Sequence, residues 1–360
     1  MKQKLKVTRL LISVLAAVFA VLLLLDAPTV AQGVSHGLRI CAGALVPALF
    51  PFMVLSGFIA STGCGRVLSL PFGFVTEKLF KLPGELSAVV LLSMVGGYPV
   101  GARMISSLLK QKKISEDTAG RMLCFCFGAG PPFLITAVGA GMFFDVKAGL
   151  ILFGTQLFAS IAVGAIISAR CEKPRSEVKT EGGGYAGAFV SAVTGASSAM
   201  LSLCAFTTLF SGILALLAKK GAAVIFTAIP GVSTEISRVL LAGIMEITSG
   251  CIAAANVGGA VGFGLASIFL SLGGISVLLQ VVSFFADTPV RLGRFFFSRV
   301  LHSVIAVSFA VPLYTRFCGG YLVWAPASPP AMVSDSRTLL MSVCLLGMCV
   351  ILSLTERRRI

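Results

Sequence analysis

Charge is what this chain has least of: across 360 residues only 12% are Asp, Glu, Lys or Arg, 57% are hydrophobic, and the mean hydropathy is +0.99. A soluble domain of this size needs more charge to cover its surface, so the apolar excess has to face lipid. Histidine is nearly absent, with His36 and His302 the two in the sequence. The ten cysteines (Cys41, Cys64, Cys124, Cys126, Cys171, Cys204, Cys251, Cys318, Cys344 and Cys349) include no CxxC pair. They read as small apolar packing residues kept reduced, and no metal or organic cofactor is expected. There is no HExxH, no GxS with a usable histidine and no Asp pair inside an apolar run. An intramembrane enzyme therefore lacks its machinery, and no catalytic residue is assigned. Acidic residues number 14 against 29 basic, a formal net charge of +15. The basic residues cluster at the ends of apolar runs, where cytoplasmic Lys and Arg orient helices. Without a basic stripe, an RNP-like motif or a helix-turn-helix pattern, nucleic acid is excluded as a partner.

What is present is length of apolar sequence. The runs at 10–25, 38–60, 123–144, 150–168, 189–217 and 339–354 approach or exceed the roughly 20 helical residues that cross a hydrocarbon core of about 30 Å. Backbone groups in lipid must be satisfied internally, which leaves helices or a closed barrel. These runs are continuous and rich in Leu, Ala and Gly, without the alternation of barrel strands. The fold class is all-α, a polytopic helical membrane protein. Its 39 glycines suit close helix packing.

Lys2, Lys4, Lys6 and Arg9 precede the first run, and Thr29-Val30-Ala31 follows it. Those small residues suit a signal peptidase, but an uncleaved helix with a cytoplasmic N-terminus is the reading adopted. The one clearly hydrophilic interior segment, 170–186, ends in Gly182-Gly183-Gly184 and reads as a flexible connector. It divides the chain into similar halves. The divisions are an N-terminal transmembrane helix at 1–30, a first repeat at 34–169, a linker at 170–187, a second repeat at 188–318 and a C-terminal transmembrane helix at 338–355.

The halves echo one another. Leu55-Ser56-Gly57-Phe58-Ile59-Ala60 aligns with Phe210-Ser211-Gly212-Ile213-Leu214-Ala215, and Leu92-Ser93-Met94-Val95-Gly96-Gly97 with Leu270-Ser271-Leu272-Gly273-Gly274. In that register Arg121 answers Arg299, and Glu85 and Glu246 precede the two breaks. A competing register pairs Val95-Gly96-Gly97 with Val257-Gly258-Gly259. Duplicated halves with glycine- or proline-broken apolar segments, here expected to be inverted, point to a secondary transporter.

The first break, Gly96-Gly97-Tyr98-Pro99-Val100-Gly101-Ala102-Arg103, cannot hold a regular helix. Its short arms fit a re-entrant hairpin with Gly96, Gly97, Pro99 and Gly101 as tip backbone. Tyr98 and Arg103 are substrate-binding candidates, the guanidinium offering planar donors to an anionic group. The second break, Gly273-Gly274, leads to Ser276 and Gln280, four apart and so on one helical face. Glu246 opens Glu246-Ile247-Thr248-Ser249-Gly250 inside an apolar stretch, with no basic residue between 240 and 284. A carboxylate there is costly unless protonated, cation-bound or facing water. It is the ion-coupling candidate, for H+ or Na+, with Thr248 and Ser249 beside it and Glu85 as a further acidic candidate. Asn256 is a further substrate-binding candidate, and Arg238 the alternative structural partner. Replacement of Glu246 by Gln is expected to spare insertion and abundance while abolishing uptake. The run Cys124 to Pro132, with Pro131-Pro132, interrupts another span, either as a break whose free carbonyls line a cavity or as a simple kink.

In order and spacing, Leu45-Val46-Pro47-Ala48-Leu49-Phe50-Pro51-Phe52, Gly97-Tyr98-Pro99-Val100-Gly101-Ala102, Glu246-Ile247-Thr248-Ser249-Gly250 and Gly273-Gly274-Ile275-Ser276-Val277-Leu278-Leu279-Gln280 resemble the sporulation integral membrane proteins of the YlbJ type. Their duplicated Gate (nucleoside-recognition) domains are similar to concentrative nucleoside transporters. The resemblance implies a role in endospore formation at the membrane around the developing spore. It also implies elevator-type carriage of a small polar or anionic solute, dipicolinate or nucleoside-like. The chain departs from the pattern at 124–130, where more serine and asparagine is expected. A non-transporting membrane scaffold of spore assembly is the alternative. The partners expected are a small-molecule solute and membrane lipid, with self-association into a homo-oligomer left open. The N-terminus, Lys110, Lys112, Lys113, the 170–179 segment and Arg357, Arg358 and Arg359 are expected on the cytoplasmic side. Inversion would place Arg291 and Arg294 opposite them.

Overall fold

A computed structural model describes residues 2–62, 64–169, 171, 185–288, 290 and 292–319. The expected helix at 338–355, Arg291 and most of the 170–187 linker lie outside the described residues. Among those described there are helices and no strand. Among the described residues five stretches are long and apolar enough to cross a membrane: Ala27–Ser61, Val146–Ser168, Tyr185–Lys219, Gly259–Phe284 and Gly293–Phe317. The chain is an integral membrane protein.

Helix α1 (Lys2–Leu25) ends at Asp26, whose φ of −115° leaves the helical region. The helix expected at 1–30 is thus divided there. Then α2 (Ala27–Ile40) passes through a π-helical turn, Cys41–Leu45, into α3 (Val46–Ser61). Gly33 and Gly37 let α2 lie directly on α9 (Tyr185–Lys219): a Cβ on Gly33 would come within 2.6 Å of Ser211 O, and one on Gly37 within 2.8 Å of Thr208 Cα. Small residues at such a crossing are how membrane helices gain contact without a hydrophobic driving force. The pair is tied at one end by Asp26, buried between Lys219 and Lys220, the latter at 2.6 Å. Hydrogen bonds from Lys219, then Lys220, hold the Asp26 carboxyl below its ordinary value. A carboxyl lowered in the folded state stabilises above its unfolded pKa and loses that contribution as pH falls through the lowered one. The melting-temperature loss caused by Asp26→Asn should therefore be present at pH 7 and shrink in acid. An equal loss at both pH values would count against the clamp.

After α4 (Cys64–Leu79) and a 3-10 turn (Gly84–Leu86), α5 (Ser87–Gly96) and α6 (Tyr98–Lys110) form a hairpin around Gly97. Its φ of 82° and ψ of −177° belong to glycine. Gly101, four residues past the turn, sits on Ser93, four before it. The span expected at 123–144 is not continuous: α7 (Glu116–Leu123) unwinds at 124–130 before a π-helix, Pro132–Ala140. Pro131 and Pro132 lack the N–H groups a helix would need there. Helix α8 (Val146–Ser168) completes this part.

In the second part α10 (Thr234–Met245) and α11 (Ile247–Val257) form a hairpin around Glu246, with Gly250 packed on Gly243. A second turn at Gly258 (φ 70°, ψ −177°) sends α12 (Gly259–Leu272) back along α11. Gly273 (φ 93°) and Gly274 (φ 61°) then interrupt one span between α12 and α13 (Gly274–Phe284), and α14 (Gly293–Phe317) follows. Gly97 and Gly274, paired in the sequence, are thus different features, one a hairpin turn and the other a break within a span.

Ser106 of α6 donates to Phe284 O at 2.7 Å, Arg294 pairs with Asp117 at 2.8 Å, and Asp287 and Thr288 share a surface cleft with Lys110, Lys112 and Lys113. Arg294 therefore lies on the face of the 110–113 loop and not opposite it, because α13 carries the chain onward across the protein. Cysteines placed at Lys112 and Asp287 should react with an impermeant thiol reagent from the same side of sealed vesicles. Labelling from opposite sides would overturn this arrangement.

Candidate functional site at the meeting of the helix breaks

The breaks converge. Gly97, at the tip of the α5–α6 hairpin, lies against Gly130 of the unwound segment, where a Cβ would come within 2.6 Å of Val95 O. Glu246, at the tip of the α10–α11 hairpin, lies beside Gly274, whose Cβ position is 3.3 Å from Ile247 N. Both tips face one cavity of about 30 Å³, bounded by Leu45, Leu49, Gly97, Tyr98, Ala129, Gly130, Phe133, Leu203, Thr207, Glu246, Ile247, Thr248 and Val277. Leu45 is at the middle of the Ala27–Ser61 span, Leu203 at the middle of Tyr185–Lys219, and the Gly273 break near the middle of Gly259–Phe284. The cavity is therefore at mid-depth, where unwound backbone is tolerated when buried in protein or facing water. Two π-helical turns, which often mark functional sites, contribute Leu45 and Phe133.

Glu246 is 1% exposed. Its backbone is extended (φ −145°, ψ 125°), and it caps α11: Oε1 accepts from Thr248 N at 2.9 Å and Oε2 from Ser249 N at 2.7 Å. A carboxylate at a helix N-terminus meets orphan N–H groups and the positive end of the helix dipole. This compensation, local to the backbone, is one the apolar surroundings in the sequence do not reveal. Arg238, the basic partner weighed for it, is exposed and forms no ion pair with it. Each carboxylate oxygen retains acceptor capacity beyond its one N–H bond.

Tyr98 is buried in the cavity wall, and its hydroxyl donates to Leu270 O at 2.5 Å, one of the carbonyls left over by the break at Gly273. Ser276 and Gln280 are buried on one face of α13. Ser276 Oγ, Gln280 Nε2, Thr248 Oγ1 and Ser249 Oγ have no hydrogen-bond partner among the described residues. Gly96, Gly97, Pro99 and Gly101 surround the first tip, and Gly273 and Gly274 form the α12–α13 break. Three expected site residues are elsewhere. Arg103 is exposed and donates to Gly195 O of α9; Asn256 is exposed near the Gly258 turn, ten residues from Glu246; Glu85 is exposed in the 3-10 turn before α5. Helical phase turns Arg103 and Asn256 outward, and Glu85 is exposed by its place in the 3-10 turn.

Comparison with known proteins fits this membrane architecture. The chain is similar to a sporulation protein. It is 26% identical over 332 residues to "Sporulation integral membrane protein YlbJ" of Bacillus subtilis (strain 168), across 79% of this chain and 78% of that one. No family model matches, and no solved structure does.

A second polar centre went unread in the sequence. Arg299 of α14 is 2% exposed, and its guanidinium donates to Phe127 O at 2.9 Å and to Cys124 O. No carboxylate pairs with it among the described residues. Beside it His302 Nε2 lies 3.1 Å from Ser160 Oγ and 3.2 Å from Gln156 O. Gln156 Nε2 donates to Ser271 Oγ at 3.0 Å and Ser267 O at 3.0 Å, tying α8 to α12. The available signal was a basic residue and a histidine inside Phe295-Phe296-Phe297-Ser298-Arg299-Val300-Leu301-His302, which position alone classed as a helix start.

Proposed function

We propose that this chain is a secondary carrier for a small polar or anionic solute, dipicolinate or nucleoside-like, working by an elevator-type movement with H+ or Na+ coupled at Glu246. The observation that carries the reading is the mid-depth cavity where two hairpin tips and two helix breaks meet around a buried carboxylate. Hairpin tips against broken helices at the midplane are the usual construction of transporter sites. The pattern occurs twice, Gly97 against Gly130 and Glu246 against Gly274. It supports inverted repeats in which Glu246 answers Gly97, with Gate-like halves at 34–169 and 188–318. A volume of about 30 Å³ accepts one or two waters or a bare ion. The solute therefore enters only when the tips part. Likeness to YlbJ supports endospore formation as the setting, at the membrane of the developing spore.

A membrane scaffold for spore assembly is the second reading, favoured by one observation: Glu246 already has a structural task as the cap of α11. Uptake of labelled pyridine dicarboxylate and nucleosides by proteoliposomes, with an imposed H+ or Na+ gradient, separates the two. Gradient-dependent accumulation of one solute supports the carrier. No accumulation under any gradient, by protein that is folded and inserted, would leave the scaffold.

A further inference from the structure

A second cavity, of about 20 Å³, is also lined by the unwound segment. Ser93, Cys126, Phe127, Ala129, Gln156 and Ser160 are among its walls, and Ala129 belongs to both cavities. Gln156 is near the middle of the Val146–Ser168 span, so this cavity too is at mid-depth. The Phe127 ring, 1% exposed, is a wall of this second cavity and not of the first. It packs 4.8 Å from the ring of Tyr98, a wall of the first cavity, and its edge rests on Gly273, where a Cβ would come within 2.8 Å of Cζ.

Backbone bonds hold the start of this segment, with Cys126 N donating to Met122 O at 2.8 Å, but no helical ladder continues from Phe127 to Gly130 to fix the rest. Arg299 does that work from outside. Its fork grips the carbonyls of Cys124 and Phe127, and its guanidinium carbon lies 5.0 Å from the Phe127 ring and 5.5 Å from that of Phe295. Apart from long contacts to neighbouring Ser298, every polar bond this arginine makes goes to that segment. A buried cation held by carbonyl dipoles and ring faces, with no carboxylate, has partners it can exchange.

We propose that the two cavities are halves of one solute chamber, partitioned in this structure by Phe127, and that Arg299 is the positioning residue that keeps the partition closed. The proposal rests on reading the Glu246 cavity as the solute site. Joined, the halves present Glu246, Thr207 and Thr248 at one end and Ser93, Gln156 and Ser160 at the other, with aromatic walls between. That lining fits a small solute with hydrogen-bonding groups at both ends.

The test uses a native cysteine as reporter. In full-length protein in liposomes, all cysteines but Cys126 are replaced, and its reaction with N-ethylmaleimide is timed in the parent, in Arg299→Gln and in Phe127→Ala. A second set retains Cys251 instead, which is 0% exposed and lines neither cavity. Cys126 should react at least about tenfold faster in both variants, as expected for easier local opening, with Cys251 unchanged. An unchanged Cys126 rate in Phe127→Ala overturns the partition. An unchanged rate in Arg299→Gln overturns the role of Arg299. Equal acceleration at Cys251 overturns both, because it reports general loosening. If Arg299→Gln does not fold, Phe127→Ala decides the partition and Arg299→Lys, which keeps the charge without the fork, takes its place. Labelling needs no solute, so this result stands apart from success or failure of uptake.

Discussion

Glu246→Asp should leave the protein folded and inserted while lowering solute uptake at least tenfold. Aspartate is as good an N-cap as any residue, so the bonds to Thr248 N and Ser249 N can be kept in the variant. Loss of one methylene withdraws the carboxylate from the cavity by about 1.5 Å. Coupling at that cavity depends on the reach of the group; capping does not. For Glu246→Gln the two capping bonds change the expected outcome to one that includes a loss of stability. Glutamine offers one acceptor oxygen and turns an NH2 group toward the second backbone N–H. It forfeits a hydrogen bond to a charged group, worth about 1.5–3 kcal/mol. Uptake should fall in both variants, whereas melting temperature and abundance should fall only in Glu246→Gln. Parental uptake by Glu246→Asp, alongside a destabilised Glu246→Gln, would reduce Glu246 to a helix cap and favour the scaffold.

Gly101→Ala is expected to be among the most damaging single-methyl changes at the described glycines. The added carbon would overlap Cys126 O and come within 2.8 Å of Ser93 Cβ. Neither neighbour is the free end of a flexible side chain, so α6 must move off the unwound segment. Overpacking of this kind costs about 1–3 kcal/mol, and more when backbone is the obstacle. That corresponds to a fall in melting temperature of roughly 4 °C at the upper end of the range. Gly154→Ala in α8 is the control, since nothing lies within 4 Å of its Cβ position. Alanine in an open helical site should be neutral or slightly stabilising. Equal melting temperatures for the two variants would refute the close approach at Gly101.

The spans around 150–168, 189–217 and 38–60 were legible because length and hydropathy alone decide whether a helix crosses lipid. The breaks at Gly97, Gly273 and Pro131 were legible because glycine and proline act on their own backbone. The Glu246 hairpin was not. Its turn uses a glutamate cap followed by Thr248 and Ser249, with no proline and its nearest glycines at Gly243 and Gly250. A small-residue pair brought together by folding replaces the local signal. Asn256 is placed outside the cavity for a related reason: in a stretch as uniformly apolar as α11, periodicity does not fix which face a polar residue takes. Arg299 was invisible as a site residue because its partners are carbonyls more than 170 residues away.

Those long-range caps bear on how the protein is made. Tyr98, from the first part of the chain, covers Leu270 O in the second; Arg299, from the second, covers Cys124 O and Phe127 O in the first. During synthesis the segment 124–131 enters the bilayer well before α14 exists, with carbonyls that neither lipid nor its own helix can satisfy. The first half must wait, wet or held by insertion machinery, until the arginine arrives. Each half thus supplies caps to the other, and the carbonyls of Cys124 and Phe127 lack theirs until α14 is in place.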